Sequence, residues 1–414
     1  MSGYFVIGKS LPHTLSPQIH KAFGANDYRV AELPDDDALG AFVHARNFEG
    51  INVTIPYKQT VIPMLDEVDP DALNVGAVNT VVNENGRLKG YNTDVAGMTN
   101  ALCAADIEIR GKNVLILGSG GTCKTAIMVC RNSGAKSVSV VSRSGEINYG
   151  NCYELADTNI IINTTPVGMM PSSYAKPIEL SKFTKLDGVF DCIYNPLETL
   201  LIKEAREMGL KADNGLRMLV EQARLAHNFF ALAKGEDMCE KSDTEKVLKE
   251  LSSEIRNIVL IGMAGSGKSV IAKTLGKKLG KEVIDTDELV ESATGRSIPD
   301  IFASEGEEPF RMYEEEAVKD ACGRLGVIIA TGGGAVLSQK NRFYMKANGV
   351  CALIVRDPDM LDTSGRPLSD TAQKAKELFE KRKPIYDALA DISVINDSSV
   401  DEAANKIITF VSGK

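Results

Sequence analysis

Asn257-Ile-Val-Leu-Ile-Gly262-Met-Ala-Gly265-Ser-Gly267-Lys268-Ser269 decides the fold of one half of this chain. An apolar β-rich run enters a glycine-rich turn, and a helical pattern follows. The turn matches G-x-x-x-x-G-K-[ST] in full. In such a loop the backbone N–H groups wrap phosphates, so Gly262, Gly265 and Gly267 keep side chains out of the way. Lys268 reaches the β- and γ-phosphates and Ser269 binds Mg²⁺. The reading is phosphoryl transfer or nucleoside triphosphate hydrolysis.

The same grammar occurs once more upstream. Asn113-Val-Leu-Ile-Leu-Gly118 runs into Ser-Gly120-Gly121-Thr-Cys123-Lys-Thr-Ala. This approximates G-x-G-x-x-G with Cys123 in the third slot. The first glycine permits the tight turn, the second lets the backbone approach a pyrophosphate, and the third slot needs a small residue. Phosphate would sit on the helix N-terminus. The next strand, Ser137–Val141, ends in Ser142-Arg143-Ser144. An acidic residue there would bind ribose hydroxyls. A guanidinium flanked by two hydroxyls suits a 2′-phosphate instead, which predicts NADP(H) rather than NAD. Two such βα openings predict an α/β protein with two nucleotide-binding units and parallel sheets.

Composition restricts the partners. The chain has 414 residues, 43% hydrophobic and 25% charged, with a net charge of −9 and no Trp. That is ordinary for a globular protein of several domains. The acidity is spread along the chain without a basic block, which argues against nucleic acid as a partner. No apolar stretch approaches the ~20 residues of a membrane span, so no membrane partner is expected. The eight Cys form no C-x-x-C pair. They read as reduced thiols in a cytoplasmic protein rather than zinc ligands.

Before the first glycine-rich turn lie short apolar runs at Tyr4–Ile7, Gly50–Ile55 and Ala77–Val82, enough for a small α/β layer. Residues 215–233 read as one amphipathic helix after Gly215. The stretch 234–256 is dense in charge and reads as a linker. Its second half is expected to be a helix with an apolar stripe of Val247, Leu248, Leu251 and Ile255, opened by a Ser242/Glu245 capping box. Whether that helix closes the first domain or docks the second is open from sequence.

Residues 1–233 resemble shikimate dehydrogenase over their whole length. The matching pieces are H-T-L-S-P at 13–17, N-V-T-I-P-Y-K at 52–58, G-A-V-N-T at 76–80 and Y-N-T-D at 91–94. G-S-G-G-T at 118–122, N-T-T-P-V-G-M at 163–169 and M-L-V-E-Q at 218–222 complete the set. The resemblance implies a shikimate-binding domain at 1–96 joined by 206–233, and an NADP-binding Rossmann domain at 97–205. It implies Lys58 and Asp94 as the catalytic pair. Ketone reduction by hydride needs a proton for the forming alkoxide, and a Lys whose proton is held by a partner can deliver it. For a polyhydroxylated ring acid it implies Thr14, Ser16, Asn52, Thr54, Asn79, Gln222 and Tyr194 as substrate contacts. Two departures stand out: Thr14 where the family usually has Ser, and Ser-Arg-Ser where Asn-Arg-Thr is usual.

Residues 257–414 resemble shikimate kinase throughout, a P-loop α/β kinase with a parallel sheet. After the P-loop come D-T-D at 285–287, F-R-M-Y-E at 310–314, G-G-G at 332–334, G-R-P-L at 365–368 and R-K-P-I-Y at 382–386. The resemblance implies that Asp285 helps Ser269 hold Mg²⁺ and that Asp287 binds ring hydroxyls and takes the proton of the attacking one. Arg311 and Arg382 would clamp the shikimate carboxylate. Gly332, Gly333 and Gly334 would let the backbone approach the substrate. Arg366 would come from a short lid to the transferring phosphate, with Lys268 as its catalytic counterpart.

Together the resemblances imply NADPH-dependent reduction of 3-dehydroshikimate to shikimate, then ATP-dependent 3-phosphorylation of shikimate. The alternatives are a quinate/shikimate dehydrogenase fused to a kinase, and a metabolite-sensing regulator built from inactive domains. The second should have lost chemistry, yet Lys58, Asp94, Lys268, Asp287 and Arg311 are all present. Oligomeric state is not legible.

Overall fold

The computed structural model describes residues 3–11, 14–357, 372–397 and 399–413. The chain forms two compact units. Unit 1 holds residues 1–167, 176–194 and 200–251, and unit 2 holds 168–175, 195–199 and 252–414.

Unit 1 contains two sheets. The first has six strands in the order Tyr28–Glu32, Tyr4–Gly8, Gly50–Val53, Thr80–Glu84, Arg87–Tyr91, Glu67–Val68. Its first three strands are parallel, and Thr80–Glu84 runs antiparallel to both of its neighbours. The second sheet is fully parallel, in the order Lys211–Asp213, Gly188–Asp191, Ile160–Asn163, Asn113–Leu117, Ser137–Val141. A parallel sheet covered on both faces needs strands apolar on both sides. Ile160, Ile161 and Ile162, like Leu115, Ile116 and Leu117, are accordingly buried.

The helices Asp94–Ala104 and Leu216–Lys234 pack closely together. Gly97 makes this possible, since a Cβ there would lie 3.0 Å from the Met218 carbonyl oxygen. The expected helix in the charged stretch spans Lys241–Ile255, and Val247, Leu251 and Ile255 are buried on it. The capping box does not form. The helix begins one residue before Ser242, Asp243 accepts the Glu240 N–H at 2.8 Å, and Glu245 is drawn into a two-pronged ion pair with Arg217 at 2.6 and 3.0 Å. A bidentate guanidinium offers Glu245 more than one backbone N–H does.

Unit 2 is a parallel sheet in the order Val283–Asp285, Ile328–Ala330, Asn257–Ile261, Gly349–Val355, Ile392–Ile395. Its two short inserts are hydrogen-bonded into it. The buried Asn348 side chain accepts the Leu197 N–H at 2.8 Å and donates to Asn195 Oδ1 at 2.8 Å. The Glu198 N–H reaches the Ala347 carbonyl at 3.0 Å, and Tyr174 packs edge-on against Phe343. Among the described residues no helix is long and apolar enough to cross a membrane, and all eight cysteines are unpaired, with Cys103 exposed.

Candidate active sites

In unit 1 the loop after strand Gly50–Val53 carries Lys58, and the helix Asp94–Ala104 begins at Asp94. Lys58 Nζ donates to Asp94 Oδ2 at 2.6 Å. Asn79, from the loop before strand Thr80–Glu84, donates through Nδ2 to Asp94 Oδ1 at 2.9 Å. The same amide reaches Gln222 Oε1 at 3.4 Å, which brings in the helix Leu216–Lys234. Its Oδ1 is pinned by the Thr93 N–H at 2.8 Å, so Nδ2 must face the carboxylate. Asp94 thus accepts from an ammonium and an amide, one on each oxygen.

Asn52 lies buried at the end of strand Gly50–Val53 and donates to Thr80 Oγ1 at 3.2 Å. Thr54 is half-buried in the next turn, its N–H on the Ile7 carbonyl. Thr14 and Ser16 lie together at the start of the first helix, Ser16–Ala22, with the Ser16 N–H on Thr14 Oγ1 at 3.3 Å. Tyr194 is half-buried, and burial pushes its hydroxyl pKa up. It makes no hydrogen bond to these groups among the described residues.

The glycine-rich turn of unit 1 follows strand Asn113–Leu117, at the crevice where the strand order reverses. Gly118 has φ +98°, and a Cβ there would lie 2.9 Å from Thr165 Cγ2. Only glycine fits. Gly120 and Gly121 face open space at the N-terminus of helix Gly121–Asn132. That cradle fits a pyrophosphate. Cys123 is buried in its tight slot. Beyond the adjacent strand Ser137–Val141, Ser142 is half-buried and Arg143 and Ser144 are exposed, where they can meet a 2′-phosphate.

In unit 2 the P-loop follows the central strand Asn257–Ile261. Gly262, Gly265 and Gly267 have φ of +137°, +82° and +97°. Lys268 is buried and donates to the carbonyls of Gly262 at 2.9 Å and Met263 at 2.7 Å. Ser269 Oγ donates to Asp285 Oδ2 at 2.6 Å, and Asp285 caps the next helix by accepting the Asp287 N–H. A hydroxyl and a carboxylate beside a phosphate loop are the hard oxygen donors Mg²⁺ prefers, with water and phosphate filling the rest of its shell.

The Gly332–Gly334 turn closes the site. A Cβ on Gly332 would lie 2.7 Å from both Asp287 Oδ1 and Glu314 Oε1. One on Gly333 would lie 2.7 Å from the Ala264 N–H nitrogen of the P-loop, and one on Gly334 would enter the Arg311 guanidinium. Arg382, buried, donates to the Gly333 carbonyl at 3.1 Å. Asp287, Arg311, Arg382 and the three glycines therefore lie together beside the P-loop. Arg366 lies outside the described residues.

The sequence matches known families in both units. Residues 6–81 match the family model of the shikimate dehydrogenase substrate binding domain, and residues 264–412 match that of shikimate kinase. The shikimate dehydrogenase (NADP(+)) of Carboxydothermus hydrogenoformans is 38% identical over 247 residues, 53% of this chain and 88% of that protein. The chain belongs to the shikimate dehydrogenase family. It also carries a shikimate kinase domain.

Solved shikimate dehydrogenases resemble the dehydrogenase portion. A chorismate mutase/shikimate 5-dehydrogenase fusion protein from Clostridium acetobutylicum is 33% identical, with a TM-score of 0.56, covering 61% of this chain and 97% of that one. The shikimate 5-dehydrogenase of Thermus thermophilus, solved with NADP(H) and shikimate, is 31% identical at a TM-score of 0.53, covering 60% and 99%.

Four residues of the kinase site escaped the sequence reading. Glu314 donates nothing but grips Arg311 Nη1 at 2.7 Å, while Glu307 accepts from the same guanidinium at 2.8 and 3.1 Å. Burial pushes the Glu314 carboxyl up, against the pull of Arg311. Tyr386 donates to the Gly333 carbonyl at 2.5 Å, and burial raises its hydroxyl to about 12. Thr286 Oγ1 accepts the Gly332 N–H at 3.0 Å. For Glu314 and Tyr386 the signal was helical spacing: Glu314 is one turn from Arg311, and Tyr386 one turn from Arg382.

Proposed function

We propose that the chain is a bifunctional shikimate-pathway enzyme. Its dehydrogenase reduces 3-dehydroshikimate to shikimate with NADPH, and its kinase phosphorylates the 3-hydroxyl of shikimate with ATP and Mg²⁺. The observation that carries the reading is the Lys58–Asp94 pair, at 2.6 Å and tied by Asn79 to Gln222.

When bound, NADPH supplies the hydride and Mg²⁺·ATP the phosphoryl group. During reduction Lys58 gives a proton to the substrate oxygen as it becomes an alkoxide, and Asp94 keeps the ammonium in place. In the reverse direction the neutral amine takes that proton back. Thr14, Ser16, Asn52, Thr54, Asn79, Gln222 and Tyr194 are the proposed ring contacts. Gly118, Gly120 and Gly121 would receive the pyrophosphate, and Ser142, Arg143 and Ser144 the 2′-phosphate. In the kinase, Lys268 exchanges its two carbonyl partners for phosphate oxygens, and Ser269 with Asp285 holds the metal. Asp287 accepts the proton of the attacking hydroxyl, Arg311 and Arg382 hold the ring carboxylate, and Arg366 is the proposed lid contribution.

The test uses one preparation of the full chain. Shikimate with NADP⁺ should give NADPH absorbance, and shikimate with Mg²⁺·ATP should give ADP in a coupled assay. Faster turnover of quinate than of shikimate would overturn the substrate assignment. A folded protein silent in both assays would replace the enzyme by a metabolite-sensing regulator.

The NADP(H) assignment makes its own prediction. Arg143→Ala should raise the KM for NADP⁺ about tenfold to a hundredfold, the worth of one charged hydrogen-bonded contact. The KM for NAD⁺ should stay within about twofold, since NAD⁺ has no 2′-phosphate to lose. Initial rates at fixed shikimate decide it.

A further inference from the structure

The hydrogen bonds that reach Asp94 do not start at Asn79. They can be followed back to the opposite edge of the six-stranded sheet. Tyr28, at the start of strand Tyr28–Glu32, donates its hydroxyl to Asn52 Oδ1 at 2.7 Å. Asn52 Nδ2 donates to Thr80 Oγ1 at 3.2 Å, and Thr80 donates to Asn79 Oδ1 at 3.2 Å. Asn79 Nδ2 then donates to Asp94. Every bond points the same way, and the series ends on the carboxylate that holds Lys58.

The direction is forced. Asn52 Nδ2 also faces the Asn79 carbonyl at 3.4 Å, which can only accept, so Oδ1 must face Tyr28. Burial pushes the Tyr28 hydroxyl pKa well above its usual value, so it stays a donor. Its ring lies flat on the buried imidazole of His20, centroids 4.1 Å apart at 8°. Burial, with His227 nearby, lowers His20 to about 3, so the platform is neutral.

We propose that Tyr28 is a positioning residue of the dehydrogenase site, its hydroxyl holding the Asn52 amide and, through Thr80, supporting the Asn79 amide that the Thr93 N–H also pins. Nothing else in the site needs Tyr28, whose strand is separated from that of Asn52 by the strand Tyr4–Gly8. Without the hydroxyl, Asn52 Oδ1 is left a buried acceptor without its donor, and the amide is held only through Nδ2, by Thr80 and the Asn79 carbonyl. The inference rests on the proposed substrate contacts of Asn52 and Asn79.

Tyr28→Phe keeps the ring and its stack and deletes one oxygen. It should raise the KM for shikimate about tenfold, the loss expected for one buried hydrogen bond. The KM for NADP⁺ and the kinase rate of the same molecules should not change, which separates the effect from general loss of fold. In an Asn52→Ala background the same substitution should add nothing. Thr80→Val, which cuts the series one bond later, should give the same KM defect and keeps the test open if Tyr28→Phe does not fold. An unchanged KM in Tyr28→Phe, or losses that multiply in the double variant, would overturn the proposal. A wild-type chain that does not oxidise shikimate would remove the functional reading itself, and this inference with it.

Discussion

Lys58→Met is expected to slow shikimate oxidation by roughly 10²- to 10⁴-fold while leaving ADP formation by the kinase untouched. Met keeps the length and apolar stem of Lys and deletes the group that moves the proton. Asp94→Asn should lose a similar factor for a different reason. Asp94 accepts from Lys58 on one oxygen and from Asn79 on the other. An amide has one oxygen, so an Asn there can satisfy only one of the two donors. If it turns to Asn79, its NH₂ group faces the Lys58 ammonium. NADPH absorbance and coupled ADP release, measured on one sample, provide both the effect and its control. A Lys58→Met protein that keeps more than about a tenth of the wild-type rate would remove Lys58 from the proton step, given the loss expected of a general acid.

The second large effect belongs to the kinase. Gly334→Ala should lower its kcat/KM for shikimate by about 10²-fold, the cost of a group displaced by an ångström or so from its working position. The added Cβ would lie 2.6 Å from Arg311 Cζ. The guanidinium has little room to retreat, because Glu307 and the buried Glu314 hold it on two sides. The KM for ATP and the dehydrogenase rate should not move. A Gly334→Ala kinase within a factor of about three of wild type would mean that Arg311 leaves this position during turnover, against the misplacement cost assumed.

How much of this was written in the sequence follows from the range of each interaction. Both glycine-rich turns announce themselves locally, because an apolar run, a turn needing positive φ and a helix start are neighbours in the chain. So are the strands Asn113–Leu117 and Asn257–Ile261. Ser242 and Glu245 show the limit of local reading: a capping box was the best short-range option, but Arg217, twenty-eight positions earlier, took the glutamate. Glu314 and Tyr386 stood inside quoted motifs at the right spacing, yet only the fold shows that their side chains meet Arg311 and Gly333. Tyr28 carried no signal at all. Its importance comes from the direction of hydrogen bonds between strands far apart in sequence, which no pattern of residue types encodes.

The two inserts of unit 2 bear on how such a protein can be taken apart. The kinase family match is contiguous, from 264 to 412, and invites expression as a free-standing fragment. The folded unit is not contiguous, since it also uses 168–175 and 195–199. A fragment beginning at 252 would expose the amide of Asn348 and the ring of Phe343, which are covered by Leu197, Asn195 and Tyr174 in the intact chain. Where a cloner would cut and where the protein would come apart are therefore different places. A split version of this enzyme would need new residues on the kinase to replace what the longer chain lends it.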